Sequence, residues 1–308
     1  MATPPTPARR SALAFVVVGA LAWGLYWVPI RWLESLGVEA AWAGVAATAG
    51  TIPAAFALLI IGRREDRPVA ATDLLAAIFC GSAVALYGIA IVYTDVVRAV
   101  LLFYLTPIWS IAIEMLFLGR RWSNRTALAV LLAFVGLFTI FRGELPLDGL
   151  GARGDWMALA AGVSWSIGTA LVFVGQRTSA ARLTGTSLIA AAAISLAIAL
   201  PLSLLDGAAA NPIPSISIDI AGASFVAGSI FLAAVMYVTL WGTTQFNPVT
   251  IGFILTAEII SGVGTSALFL GERFGLPELI GTVLIIAGAV VEVTRPALPS
   301  SDERLQTT

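Results

Sequence analysis

Ten apolar stretches follow one another along this chain: 12–33, 39–61, 73–93, 96–118, 126–141, 156–175, 183–204, 219–240, 249–270 and 277–294. Crossing the hydrocarbon of a bilayer takes roughly 20 helical residues, and each run approaches that length. The first run follows Arg9 and Arg10 and is too long for a signal-peptide core. The connectors leave no room for a sizeable soluble domain. The expected fold is therefore an all-α integral membrane protein with ten transmembrane helices. Polar segments 1–11 and 295–308 are expected to be disordered tails.

Composition agrees with a lipid solvent. The 308 residues are 59% hydrophobic and 11% charged, with a mean hydropathy of +0.95. Soluble domains carry about 25% charged residues. A net charge of −1 offers no basic surface for nucleic acid. All 17 basic residues are Arg, and there is no His. Without His, histidine metal sites, Ser-His or Cys-His nucleophile pairs and histidine proton relays are excluded. Cys80 is the one cysteine and sits in an apolar run, where an inert packing role is expected. No cofactor or metal is expected.

The runs repeat. Leu105 to Gly119 returns as Leu255 to Gly271; the shared Phe-Leu-Gly ends at Gly119 and Gly271, a shift of 152. At that shift Gly136 falls on Gly288, Arg121 on Arg273, Thr106 on Glu258 and Pro107 on Ile259. The chain divides into a first unit at 12–142, a linker at 143–155 and a second unit at 156–294, five helices in each. With a cytoplasmic N-terminus, twelve Arg lie on inside segments and five outside. The positive-inside rule then puts both termini in the cytoplasm. An odd number of helices per unit inverts the second repeat, a recurring plan for secondary transporters.

Certain residues point to a family. Pro107 stands twelve residues before Gly119; Phe-Leu-Gly-Glu-Arg occupies 269–273; a Gly-rich helix runs from Leu279 to Val291. Ala-Trp-Gly at 22–24 is loosely matched by Ser-Trp-Ser at 164–166. Together these resemble the EamA repeat of the drug/metabolite transporter superfamily over nearly the whole chain. Ile259 departs from the pattern, which usually has Pro there, and so does Arg120, where Glu is frequent. Tyr-Leu-Thr-Pro at 104–107 is similar to the YddG-like branch of aromatic amino-acid exporters. The resemblance implies export of small metabolites, amino acids above all, from a bacterial cytoplasm across the inner membrane. It also implies a cavity lined by helices one to four and six to nine.

Helical spacing sets Tyr104, Pro107, Ile111 and Glu114 on one face of the fourth helix. Pro107 frees a carbonyl, and Tyr104 has a hydroxyl to satisfy. Glu114, one turn from the cytoplasmic end, is expected to snorkel toward Arg120 and Arg121. In the ninth helix Glu258, Ser261, Gly262 and Thr265 share a face. A carboxylate at mid-membrane costs roughly 2.5–3.5 kcal/mol on insertion scales, so Glu258 is the foremost candidate for substrate-ammonium binding or proton coupling. Trp23, Tyr87, Trp109, Trp165 and Tyr237 lie deep in their runs, where aromatic walls suit an apolar or aromatic substrate and its ammonium. Trp23 and Trp27 line up with Arg31, and Trp165 is the repeat mate of Trp23. Arg31 with Glu34, and Arg98 with Asp95, read as local ion pairs. Ala129, Gly136, Gly281 and Gly288 are small seam residues, fit to pack helix five on helix ten or to form a homodimer through them.

No Walker phosphate loop is present, which disfavours ATP coupling within the chain. The expected partners are a small-molecule substrate and the lipid bilayer, and the expected mechanism is alternating access. A drug, nucleotide-sugar or lipid-precursor transporter is the alternative. An intramembrane enzyme is remote, since neither Gly-x-Gly-Asp nor His-Glu-x-x-His occurs.

Overall fold

A computed structural model describes residues 7–63, 70–117, 123–140, 149–175, 178–205, 213–245, 254–255, 257–271 and 274–293. Those residues are helical, with no strand among them. The helices are α1 (Pro7–Gly24), α2 (Trp27–Ser35), α3 (Ala41–Ala49), α4 (Ile52–Gly62), α5 (Ala71–Tyr93), α6 (Val96–Phe103) and α7 (Thr106–Phe117). There follow α8 (Asn124–Ile140), α9 (Gly149–Gly175), α10 (Ala180–Leu205) and α11 (Ile218–Phe225). A π-helical segment (Val226–Leu232) leads into α12 (Ala233–Gln245), and α13 (Ala257–Phe269) and α14 (Leu276–Val293) complete the order. Six stretches are long and apolar enough to cross a membrane: 11–35, 41–62, 71–93, 96–113, 180–205 and 218–242. Shorter apolar helices lie at 124–140, 257–269 and 276–288.

Several predicted runs are two helices rather than one. α1 gives way to α2 at Leu25–Tyr26, α3 to α4 at Gly50–Thr51, and α6 to α7 at Tyr104–Leu105. A proline follows each break closely: Pro29, Pro53 and Pro107. Proline lacks the N–H that would bond four residues back. The Leu25 carbonyl is instead met by Val28 N–H at 3.0 Å, one residue early. The Phe103 carbonyl is taken by the Thr106 hydroxyl. The orphaned acceptors are thus satisfied locally, as an apolar surround requires.

Small residues let the helices close on one another. A Cβ placed on Gly168 would lie 2.7 Å from Cys80 Sγ, and one on Gly154 would lie 2.6 Å from the Tyr93 carbonyl carbon, so α9 packs against α5 and its end at near-backbone distance. A Cβ on Gly24 would meet Ser261 Oγ at 2.1 Å, where α1 meets α13. Gly136 faces the Gly281 carbonyl, and Gly288 faces that of Ala129, so the small-residue seam joins α8 to α14 within the chain. The opposite faces of those two helices expose Leu131, Phe134 and Phe138, and Leu279, Ile280 and Val283. So large an exposed apolar surface is normal against lipid and a liability in water.

Candidate functional site

Glu258 enters the protein in the first turn of α13 and is only 4% exposed. The Tyr104 hydroxyl, set at the break between α6 and α7, donates to its Oε2 at 2.8 Å. The same hydroxyl contacts the Leu255 carbonyl. Tyr87, from α5, joins the same cluster through its ring, which packs against Phe103. A phenol from the first half of the chain therefore holds an acid from the second.

Rings continue outward from those phenols. Tyr87 lies 5.1 Å from Phe103, which lies 5.9 Å from Tyr104 and 6.5 Å from Trp165. Tyr26 stacks on Tyr87 at 6.4 Å and on Phe231 at 6.3 Å, and meets Trp23 edge-on at 5.9 Å. The Trp23 indole donates to Thr239 Oγ1 at 2.7 Å. The Tyr26 hydroxyl is buried without a partner among the described residues. Helices α1, α5, α6, α9 and the π-helical segment each supply at least one ring. Negative ring faces around a carboxyl group form a setting for an organic cation with an apolar body.

Of the sequence candidates, Trp23, Tyr87, Tyr104, Trp165 and Glu258 come together in this cluster. Trp109 does not: it packs against Leu105, Ile108 and Ala133, toward α8. Tyr237 is half-buried on α12 and makes no ring contact among the described residues. Pro107 ends its contribution at the backbone, since its side chain and that of Glu114 lie outside the described residues. Arg120, Arg121, Gly119 and Arg273 lie outside them as well. The stripe Ser261, Gly262, Thr265 faces the first helices rather than an open chamber: Thr265 accepts from the Trp27 indole at 3.1 Å, and Ser261 and Gly262 abut Gly24.

Sequence reasoning missed Tyr26, Phe103, Phe231 and Thr239. Tyr26 and Phe103 each sit one to three residues from a flagged residue, on helical turns the proline breaks reorient. Phe231 carried no polar signal. Arg98 also has a partner that local spacing hid. Its Nη2 lies 2.5 Å from Asp155 Oδ2 on α9, and Thr94 donates to the other oxygen at 2.6 Å. The Arg31–Glu34 pair forms as expected, at 2.8 Å, and Arg31 also reaches the Ile91 carbonyl.

Comparison with known proteins adds the wider frame. The sequence profile of the EamA-like transporter family matches residues 10–142 and again 152–294. The start of the second match is displaced by 142 and its end by 152, so the second copy is the longer. A search of curated proteins finds no match. A crystal structure of another protein superposes with a TM-score of 0.59 at 18% identity, over 92% of this chain and 97% of that one. At that identity the likeness concerns the fold alone.

Proposed function

Because this chain belongs to the EamA-like transporter family, we propose that it is a secondary exporter of amino acids, aromatic and apolar ones foremost, or of similar small metabolites. In this reading it lies in the bacterial inner membrane as ten helices in two inverted repeats, with both termini in the cytoplasm. Transport proceeds by alternating access, the two repeats rocking about a site between them.

The observation that carries the reading is the placement of Glu258. A carboxyl group from one matched repeat is buried against Tyr104 of the other, with Phe103 and Tyr87 beside that phenol. An ammonium would meet the carboxylate, and an aromatic side chain would meet the rings. Burying a carboxylate is expensive unless it is paired or protonated, which suits a group that alternates between cation and proton. The YddG-like specificity rests on Tyr104 to Pro107 and belongs to this proposal. So does a homodimer, through the lipid-facing sides of α8 and α14.

Counterflow in proteoliposomes with an amino-acid panel tests the substrate class. Movement of tryptophan or phenylalanine is expected. If no amino acid moves while a nucleotide sugar, drug or lipid precursor does, the substrate class is wrong. The Glu258→Gln variant under a pH gradient tests coupling. Loss of gradient dependence is expected; a gradient response equal to wild type removes Glu258 from that role.

A further inference from the structure

The join between α3 and α4 holds a bond pattern that neither helix makes alone. In a continuous helix the Ala54 N–H would bond the Gly50 carbonyl. Here the Ser229 hydroxyl stands between them. Ala54 N–H donates to Ser229 Oγ at 3.3 Å, and Ser229 Oγ donates to the Gly50 carbonyl at 2.7 Å. A side chain inserted into the ladder is one of the few causes of a sharp helix bend. Pro53 removes the adjacent rung, since it has no N–H for the Ala49 carbonyl.

Ser229 comes from the π-helical segment of the second repeat, the only π-helical stretch among the described residues. The break at Gly50 interlocks with the end of α11 and the π-helical segment that follows. A Cβ on Gly50 would stand 1.7 Å from the Ser224 carbonyl oxygen, and one on Gly228 would stand 2.2 Å from the Gly50 carbonyl carbon. Two residues beyond Ser229, in the same segment, Phe231 stacks on Tyr26. The inserted hydroxyl, the break in the ladder and a wall of the aromatic cluster are thus one piece of structure.

We propose that Ser229 is a positioning residue for transport. Its hydroxyl splices the two repeats together by replacing a backbone rung at the bend between α3 and α4, and this join is a hinge. Without the hydroxyl, Ala54 N–H and the Gly50 carbonyl bond each other directly and the join straightens by that one rung, the gap at Pro53 remaining. Hinges of this kind are few and lie where backbone bonding changes hands.

Thr and Val have the same shape and differ in the hydroxyl, so Ser229→Thr and Ser229→Val form the test pair. Spin labels at Glu39→Cys and Ile60→Cys, both exposed and flanking the bend, report its opening; Cys80, the one native thiol, is replaced by Ala. By double electron–electron resonance, Ser229→Val is expected to shift the distance distribution to longer values and Ser229→Thr to match wild type. A wild-type distribution in Ser229→Val overturns the proposal, as does an equal shift in both variants. Tryptophan counterflow supplies a second reading. The rate is expected to fall about fivefold in Ser229→Val, the worth of one hydrogen bond, with KM unchanged and the rate recovered in Ser229→Thr. Equal loss in both variants also overturns it. The proposal rests on transport by this chain, but the distance measurement needs no substrate. Failure of tryptophan to move in the wild type would sink the amino-acid reading and leave the hinge to be judged by the distances.

Discussion

The two matched repeats reach similar lengths by different means. In the first, three helices are interrupted, each with a proline just beyond the break. In the second, α9 runs for 27 residues and α10 for 26, through Pro201. Its irregularity among the described residues is the π-helical segment. The contrast is sharpest at positions 152 apart. Phe103 and Leu255 correspond, and both carbonyls meet a hydroxyl. At Phe103 it belongs to Thr106 of the same turn; at Leu255 it belongs to Tyr104 of the other repeat, which also reaches Glu258. At Leu25–Tyr26 and Tyr104–Leu105 a break set by proline cannot be undone by exchanging hydrogen bonds, because the donor is missing from the sequence; at Gly50–Thr51 the rung beside Pro53 is held by Ser229 of the other repeat. A π-helical turn keeps every donor and can shift its register. Two of the first repeat's breaks are therefore written into the chain by proline alone, while the third, at Gly50–Thr51, also depends on a group from the second repeat.

The largest expected effect lies where the two kinds of bend meet. Gly50→Ala puts a methyl group 1.7 Å from the Ser224 carbonyl oxygen, a backbone atom that no rotamer change removes. Ordinary overpacking costs about 1–3 kcal/mol, and this contact should exceed it. Loss of monodisperse protein in detergent, or a large fall in Tm, is expected. Gly264→Ala in α13 meets nothing within 4 Å and should be neutral or stabilising by about 0.5–1 kcal/mol, the helix-propensity gain. Equal melting shifts in the two variants would mean that the interlock is not tight.

Next come the ion pairs. Asp155 is 1% exposed while Arg98 is 31% exposed, and the pair crosses from α6 to α9 between repeats. Removing the arginine leaves a buried acid with Thr94 as its remaining described partner, which costs about 3 kcal/mol when a buried charge is stranded. Arg31 and Glu34 lie three residues apart within the first repeat and are both partly exposed. Arg31→Ala should cost no more than about 1 kcal/mol. Thermal melts of Arg98→Ala and Arg31→Ala in one detergent separate the two; comparable shifts would deny that the inter-repeat pair is special.

Much of this was legible in the sequence and some was not, for definite reasons. Apolar runs mark helices because lipid allows little else. Glu258 and Tyr104 stood out because a charge or hydroxyl in such a run must find a partner. The direction of a stripe was less legible. Periodicity groups Ser261, Gly262 and Thr265 on one face but does not say that the face meets α1 and α2. Trp109 packs apart from the rings for the same reason: depth in a run does not say which neighbour a side chain meets, and the turn at Tyr104–Leu105 resets the helix face just before it. The breaks themselves carried a signal in Pro29, Pro53 and Pro107, since proline inside a helical pattern ends or kinks it. Partners such as Asp155 and Ser229 are distant in sequence, 57 residues from Arg98 and 179 from Gly50, and local spacing cannot reach them.

The smallest effect tests whether the second repeat could bear the bends of the first. Ile259 stands at the position of Pro107. It lies in the first turn of α13, where a helix leaves its N–H groups unpaired by the ladder. The Leu255 carbonyl four residues back already meets the Tyr104 hydroxyl, which it shares with Glu258. Proline at 259 would therefore remove a donor that the helix spends little on, and the cost should be mainly the lost packing of a side chain 1% exposed. About 1–2 kcal/mol is expected for Ile259→Pro, against about 3 kcal/mol or more for Val263→Pro one turn deeper. The comparison is made by melting both variants in the same detergent. If Ile259→Pro is as damaging as Val263→Pro, the carbonyl at 255 depends on its own helix after all. The cross-repeat bond from Tyr104 would then be an addition to that helix rather than a replacement for its missing rung.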